Sequence, residues 1–367
     1  MHTPDAPQRA LRLAFVAGLS DGKLKQFLEP LQLLEFVENI DVYRRRPIAG
    51  DKIRWMPLPR WIARNPVAGD LWRCGVLLMA ASRYDAIIGC FQQFHGLWAH
   101  LAAHWQRKPA IQLIITDVDW NFARIIPRRT MLQADACGVM GPISQEKLRQ
   151  RGYKGPVEVI TLPHAPRNVR LTPRPFAYDC LAVGSYAEEK DYPWMLEVFA
   201  ALRRRRPDTR LAMVGDGLRQ ALRPRVEALG LQNNIDFLGF LGPDALAEAY
   251  QDSRLLVMTS NVEGLPMVAV EAMSYGKPVV ATPVGDLPWL IRQGVDGFLV
   301  AHGDTEGFSR TLADILDNPE QIDVMGRNAN ERYTALLPLF TSSHVAQRWK
   351  SLLLPLLQGK QDLHSSI

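Results

Sequence analysis

Apolar runs and amphipathic stretches alternate along this chain, most regularly in its second half. Short apolar runs at 180–183, 210–214, 235–238, 255–258, 278–281 and 297–300 have the length of strands. Between them, apolar residues recur at helical spacing over 192–206, 218–229, 244–250, 267–275 and 287–293. Strands alternating with helices predict a parallel sheet covered on both faces, a doubly wound Rossmann-like domain. The first half is less regular but of the same α/β kind. It predicts a strand at 11–17, a helix reaching about 37, and strands at 40–43 and 85–89. A helix at 92–105, strands at 111–116 and 136–140, a helix at 143–151 and a strand at 157–161 follow. An amphipathic helix at 342–357 closes the pattern.

A chain of 367 residues has room for two such domains. Cys74, Cys90, Cys137 and Cys180 form no C-x-x-C pair and lie in apolar runs, so they read as small buried hydrophobes of a reducing compartment. The histidines are not read as a metal site. The first residues lack the apolar core of a signal peptide, and no apolar stretch is long enough to span a bilayer. A cytoplasmic protein, soluble or peripheral to a membrane, is expected.

The net charge is +5, and its excess gathers between Asp41 and Arg73. Arg44, Arg45, Arg46, Lys52, Arg54, Arg60, Arg64 and Arg73 lie there with Trp55, Trp61 and Trp72 interleaved. This mixture suits an anionic membrane surface or a phosphorylated acceptor; the plainer expectation is a solvated loop whose tryptophans plug the core. Arg203 to Arg206 end a helix pattern, where cations complement the dipole, and read as a solvated helix end. Nothing points to a nucleic acid partner. No G-x-G-x-x-G follows a strand with an acid about 20 residues on, which argues against a dehydrogenase.

The most informative segment runs from Glu263 to Met273, after the strand at 255–258. Pro266 suits a helix start, so Glu263 lies in the loop before a helix and Glu271 about a turn inside it. A helix N-terminus attracts an anion, and two carboxylates beside it suit a ligand with both phosphates and sugar hydroxyls, such as a nucleotide sugar. A Glu-x7-Glu pair alone is most simply a loop acid and a solvated helix acid.

Around it stand Val183-Gly184-Ser185-Tyr186-Ala187-Glu188-Glu189-Lys190, Leu211 to Gly217, Ile235 to Phe240, Gly276 to Thr282, Val284-Gly285-Asp286 and Asp296 to Val300. In order and spacing, these segments from about 179 to 318 resemble the nucleotide-sugar-binding half of the group 1 retaining glycosyltransferases (family 4 type) of the GT-B fold. The resemblance implies two Rossmann-like doubly wound domains facing each other across a cleft. The acceptor domain would span 1–165, a link 166–175 and the donor domain 176–340. A last helix at 341–367 would cross back to the first domain.

It further implies a retaining glycosyltransferase that moves a sugar from a nucleotide-diphosphate donor to a glycan or lipid-linked acceptor, as in polysaccharide biosynthesis, by front-face attack. The alternatives are a catalytically inactive nucleotide-sugar-binding protein, or a sugar phosphorylase or epimerase on the same fold. On the resemblance, Lys190 meets the donor phosphate, Glu263 faces the donor sugar and Glu271 binds the ribose hydroxyls. Gly264, Leu265 and Pro266 form the turn between the glutamates, with N–H groups of Leu265, Met267 and Val268 as candidate donors. Gly239 and Phe240 lie where the family holds the base; Gly184, Ser185 and Gly215 lie in neighbouring loops. Gly18 and Gly22 follow the first strand, where the family has a loop near the diphosphate. His95 and Asp117, with Asp119, are candidates near the reacting sugar, although a lone histidine is more often structural. The family usually has arginine at the place of Ser185; Arg124, Arg128 or Lys23 could supply that charge, and the sequence does not choose. Asp191 replaces the usual glycine. Family members commonly work without a catalytic metal or other cofactor.

Overall fold

The computed structural model describes residues 10–62, 64–90, 94–165 and 175–364. The expected link at 166–175 and the first residues of the helix expected at 92 fall almost wholly outside them. The chain divides into two compact units, Met1–Ala165 with Leu339–Ile367, and Pro166–Pro338.

The first unit is built on seven strands: β1 (Leu11–Val16), β2 (Val37–Tyr43), β3 (Ile53–Trp55), β4 (Ala86–Cys90), β5 (Ala110–Ile114), β6 (Ala136–Val139) and β7 (Val157–Val159). They form one parallel sheet in the order β3-β2-β1-β4-β5-β6-β7. β4 and β5 are buried at every position, as strands covered on both faces must be. The first helix ends earlier than its pattern suggested, at Gln32, because Val37 already belongs to β2. Four elements were not expected: β3, the helices Val118–Phe122 and Ile125–Leu132, and the helix Pro66–Ala80, whose first turn is capped by the Asn65 side chain accepting from Val67 and Ala68. That helix lies inside the basic stretch. Trp61 and Trp72 do not plug the core: they are 74% and 40% exposed and meet edge to face at 6.0 Å.

The helix Ser342–His364 completes this unit from the far end of the chain. It packs on the helix Asp21–Gln32 and on β7. Val345, Trp349, Leu352 and Leu353 are buried on its inner face. Ser342 donates to Glu29 at 2.6 Å, and the N–H of His164 donates to the Phe340 carbonyl at 2.8 Å.

The second unit has six strands: β8 (Tyr178–Val183), β9 (Leu211–Val214), β10 (Ile235–Gly239), β11 (Ser253–Met258), β12 (Val279–Ala281) and β13 (Gly297–Leu299). All pair in parallel, in the order β10-β9-β8-β11-β12-β13. Every strand expected here is present within two residues. Between 293 and 342 the sequence pattern predicts no helix, yet Thr305–Leu316 and Pro319–Leu336 are helices, and Phe308, Leu312 and Ile322 join the core. The arginines at the end of the helix Tyr192–Arg205 do more than face water: Arg204 and Arg205 pair with Glu306, and Arg206 with Asp317.

The four cysteines are buried and free. Burial pushes the Cys74 and Cys137 thiols up to about 12, which keeps them protonated and unreactive. Among the described residues, no helix is long and apolar enough to cross a membrane.

Candidate active site

In the second unit the chain builds β8, β9 and β10 outward in one direction, then returns to place β11 on the other side of β8. The loops after β8 and β11 therefore leave the sheet in opposite directions, which opens a crevice at their carboxyl ends. Lys190 follows β8 and Glu263 follows β11. Their side chains form an ion pair at this switch point, 22% and 15% exposed. Two residues far apart in sequence meet here because their strands are neighbours.

Both partners are held. The Ser260 hydroxyl donates to the same Glu263 oxygen at 2.9 Å. The Thr259 hydroxyl donates to the carbonyls of Lys190 and Asp191, and the N–H of Asn261 to that of Glu189 at 2.9 Å. The Thr282 hydroxyl, after β12, donates to the Ser260 carbonyl at 2.5 Å. Gly285 has φ +56°, and a Cβ there would collide with the Gly264 carbonyl; the N–H of Asp286 donates to that same carbonyl at 2.7 Å. Only glycine fits a position with that backbone and that neighbour.

Gly264, Leu265 and Pro266 are buried in the turn after Glu263, and the helix Met267–Ser274 begins beyond it. Glu271 is half-buried in that helix. The Tyr250 hydroxyl donates to its Oε2 at 3.1 Å and also lies 3.2 Å from the Val268 carbonyl, while the Tyr250 ring stacks on Tyr275. Glu271 is thus a pre-positioned carboxylate about one turn inside the helix that follows Glu263.

Asp191 occupies a left-handed backbone (φ 44°, ψ 50°), which accounts for the glycine usual at that place. Its carboxylate caps the helix Tyr192–Arg205 through the Trp194 N–H at 3.2 Å and contacts His302 Nε2 at 2.9 Å.

Ser185 is exposed, next to Gly184, whose N–H donates to the Val214 carbonyl at 2.8 Å. A Cβ on Gly215 would collide with the Gly184 carbonyl, so this glycine's close approach is to the adjoining backbone. The N–H of Tyr186 donates to the Asp216 carbonyl at 2.8 Å, which ties the loops after β8 and β9 together. Beyond them a cavity of about 620 Å³ is lined by Gly215, Arg219, Arg223 and Gly239. Phe240, 74% exposed, follows Gly239. Arg219, exposed in the first turn of the helix Leu218–Ala228, lines this cavity and was not singled out by any motif in the sequence.

The remaining candidates lie in the first unit. Asp117 caps the short helix Val118–Phe122 through the Trp120 N–H at 2.9 Å and pairs with Lys147 at 2.9 Å. Asp119 pairs with Lys147 and Arg151, which hold its carboxyl below the usual carboxylate range despite an opposing burial effect. Arg124 lies over the Trp120 ring at 3.6 Å. His95 begins the helix His95–Trp105, and its imidazole fills the space a Cβ on Gly18 would need. Burial lowers its pKa to about 4. Gly22 has open space around it in the first turn of the helix Asp21–Gln32.

Residues 177–332 match the family described as glycosyl transferases group 1. The chain is 35% identical over 145 residues to a D-inositol 3-phosphate glycosyltransferase of Streptomyces griseus, a match covering 37% of this chain and 31% of that relative. The chain thus spans about a third of the curated relative's length. Among solved structures it resembles sucrose-phosphate synthase from Thermosynechococcus elongatus (TM-score 0.70, 17% identity, 97% of this chain and 100% of that one). It also resembles Anabaena HepE in complex with UDP-glucose (TM-score 0.66, 18% identity, 97% and 100%). These likenesses establish the GT-B fold, two Rossmann-like domains. In its second unit, the chain is thus similar to the group 1 glycosyl transferases.

Proposed function

We propose that the protein is a retaining glycosyltransferase that takes a sugar from a nucleotide diphosphate. The observation that carries this reading is the Lys190–Glu263 pair at the strand-order reversal, with Glu271 fixed by Tyr250 in the following helix. Cleaving a glycosyl–phosphate bond passes through an oxocarbenium-like state while negative charge grows on the leaving phosphate. Lys190 supplies positive charge to that phosphate, and Glu263 offers a carboxylate to the sugar hydroxyls and the developing cation. Binding a donor exchanges part of their mutual contact for contact with substrate, so the pair holds both groups in place beforehand. Glu271 accepts hydrogen bonds from the ribose hydroxyls. Arg219 takes the place of the arginine missing at Ser185. The HepE structure contains UDP-glucose, which makes uridine donors the first to test.

The acceptor is proposed to be a glycan or lipid-linked saccharide recognised by the first unit. Transfer uses the protein's own cations for the leaving group and requires no metal.

The test is transfer and binding with a panel of nucleotide sugars. Glu271→Ala removes a charged acceptor of hydrogen bonds, about 1.5–3 kcal/mol, and is expected to raise the dissociation constant of the donor roughly ten- to a hundredfold. Lys190→Ala is expected to lower the transfer rate by ~10²–10³ with smaller loss of binding. Unchanged donor binding in the Glu271 variant would sink the assignment. Tight donor binding by the unaltered chain, with no turnover on any acceptor, would favour an inactive nucleotide-sugar-binding protein, which the exposed Ser185 also suggests.

A further inference from the structure

A second cavity, of about 440 Å³, lies in the first unit at the carboxyl ends of β1 and β2. Its volume falls within the roughly 300–1,000 Å³ of small-molecule sites. The sheet order reverses beside it too, since β1 is followed outward by β2 and β3, and β4 then pairs on β1's other side. The lining is cationic: Arg44, Arg45 and Arg46 leave the end of β2 in succession.

Arg44 is 4% exposed. Its Nη2 meets Asp21 at 2.5 Å, while its Nη1 is buried without a hydrogen-bond partner. Asp70, in the cavity wall, is shared by Arg45 and by the buried Arg73, whose Nη1 also lacks a partner. Arg46 is exposed and forms no ion pair or hydrogen bond among the described residues. Four arginines against Asp21 and Asp70 leave an excess of two positive charges. Ser20, the residue before the helix Asp21–Gln32, lines the cavity, and its hydroxyl makes no capping hydrogen bond. The helix start adds N–H groups and positive partial charge. His95, in the same wall, has Nδ1 buried without a partner.

An unpaired buried guanidinium nitrogen is costly, and a ligand that supplies acceptor oxygens removes that cost. We propose that this cavity is a phosphate-binding site: it holds a phosphate-monoester-like oxyanion through Arg44, Arg46 and Ser20. Under the function proposed above, Lys190 of the second unit meets the donor diphosphate, so the oxyanion held here is a phosphate group of the acceptor. That assignment to the acceptor rests on the transferase reading; the site itself does not.

The experiment titrates the full-length protein with inorganic phosphate and with glycerol phosphate while UDP is saturating. Binding should persist under UDP, weaken about fivefold in Arg46→Gln and about tenfold in Arg44→Lys, and be unaffected by Glu271→Ala. Arg46 is exposed, so its variant folds normally and keeps the test valid if the Arg44 variant does not. Floating the same proteins with vesicles containing phosphatidic acid separates the sources. An Arg46 effect on glycerol phosphate assigns the phosphate to a soluble acceptor; an effect on vesicles alone assigns it to a lipid headgroup. Phosphate binding that UDP abolishes, binding in both arginine variants as tight as in the unaltered protein, or binding in neither arm would overturn the proposal. A chain that transfers sugar but binds no phosphate loses this inference and keeps its function; one that binds phosphate but no nucleotide sugar does the reverse.

Discussion

His95 shows how burial alone sets a residue's behaviour. Its imidazole lies against Gly18, and burial lowers its pKa from 6.5 to about 4; nearby Asp70 opposes the shift, and Arg73 and Arg45 add to it. The folded protein therefore holds the ring neutral at a pH where the unfolded chain takes up a proton. A depressed histidine pKa contributes stability above pH 6.5 that is lost as the pH falls toward 4. At pH 5 this loss amounts to about 2 kcal/mol at most. The melting temperature is expected to fall between pH 7 and pH 5, and to fall less in His95→Gln. An equal drop in both proteins would show that other groups carry the acid sensitivity.

At the scale of elements, the strands other than β3 were legible because most are short apolar runs, and the parallel sheets follow from their alternation with helices. Lys190 and Glu263 were legible through their motifs, but their pairing was not, since it depends on β8 lying beside β11. The helix Pro66–Ala80 was not legible: Gly69 and Gly75 interrupt its pattern, and its arginine-rich flanks read as a loop. The cavity below the arginine triplet was hidden for the same reason, being assembled from loops that only the sheet brings together. That helix turns Val67, Leu71, Trp72 and Met79 outward, 68%, 53%, 40% and 76% exposed, beside exposed Arg60 and Arg64. Aromatic and apolar groups rimmed by arginine suit an anionic lipid surface. Flotation with vesicles rich in phosphatidylglycerol is expected at low salt and should weaken on raising the salt and in Trp72→Ser. Absence of flotation at low salt would remove the lipid surface from the reading.

For the whole molecule, the informative feature is that the first unit is discontinuous. Trp349, Leu352 and Leu353 are 0% exposed within it, although the second unit intervenes in the chain. A chain ending at residue 338 should therefore keep the core of its second unit and leave apolar surface of its first uncovered. It is expected to bind a hydrophobic dye at temperatures where the full chain does not, and to melt earlier. Matching melts and no dye binding would mean that the helix Ser342–His364 is dispensable.

The same discontinuity bears on how the protein is made. Ser342 and Glu29 bond across 313 positions. A ribosome adding about 5–20 residues per second needs roughly 10–35 s to pass from the end of β7 to that helix. Throughout that interval the nascent first unit presents an unfinished apolar face, while the second unit, contiguous in sequence, can fold as soon as it emerges. The half of the protein synthesised first is thus the half completed last, and the half that most needs a chaperone during translation.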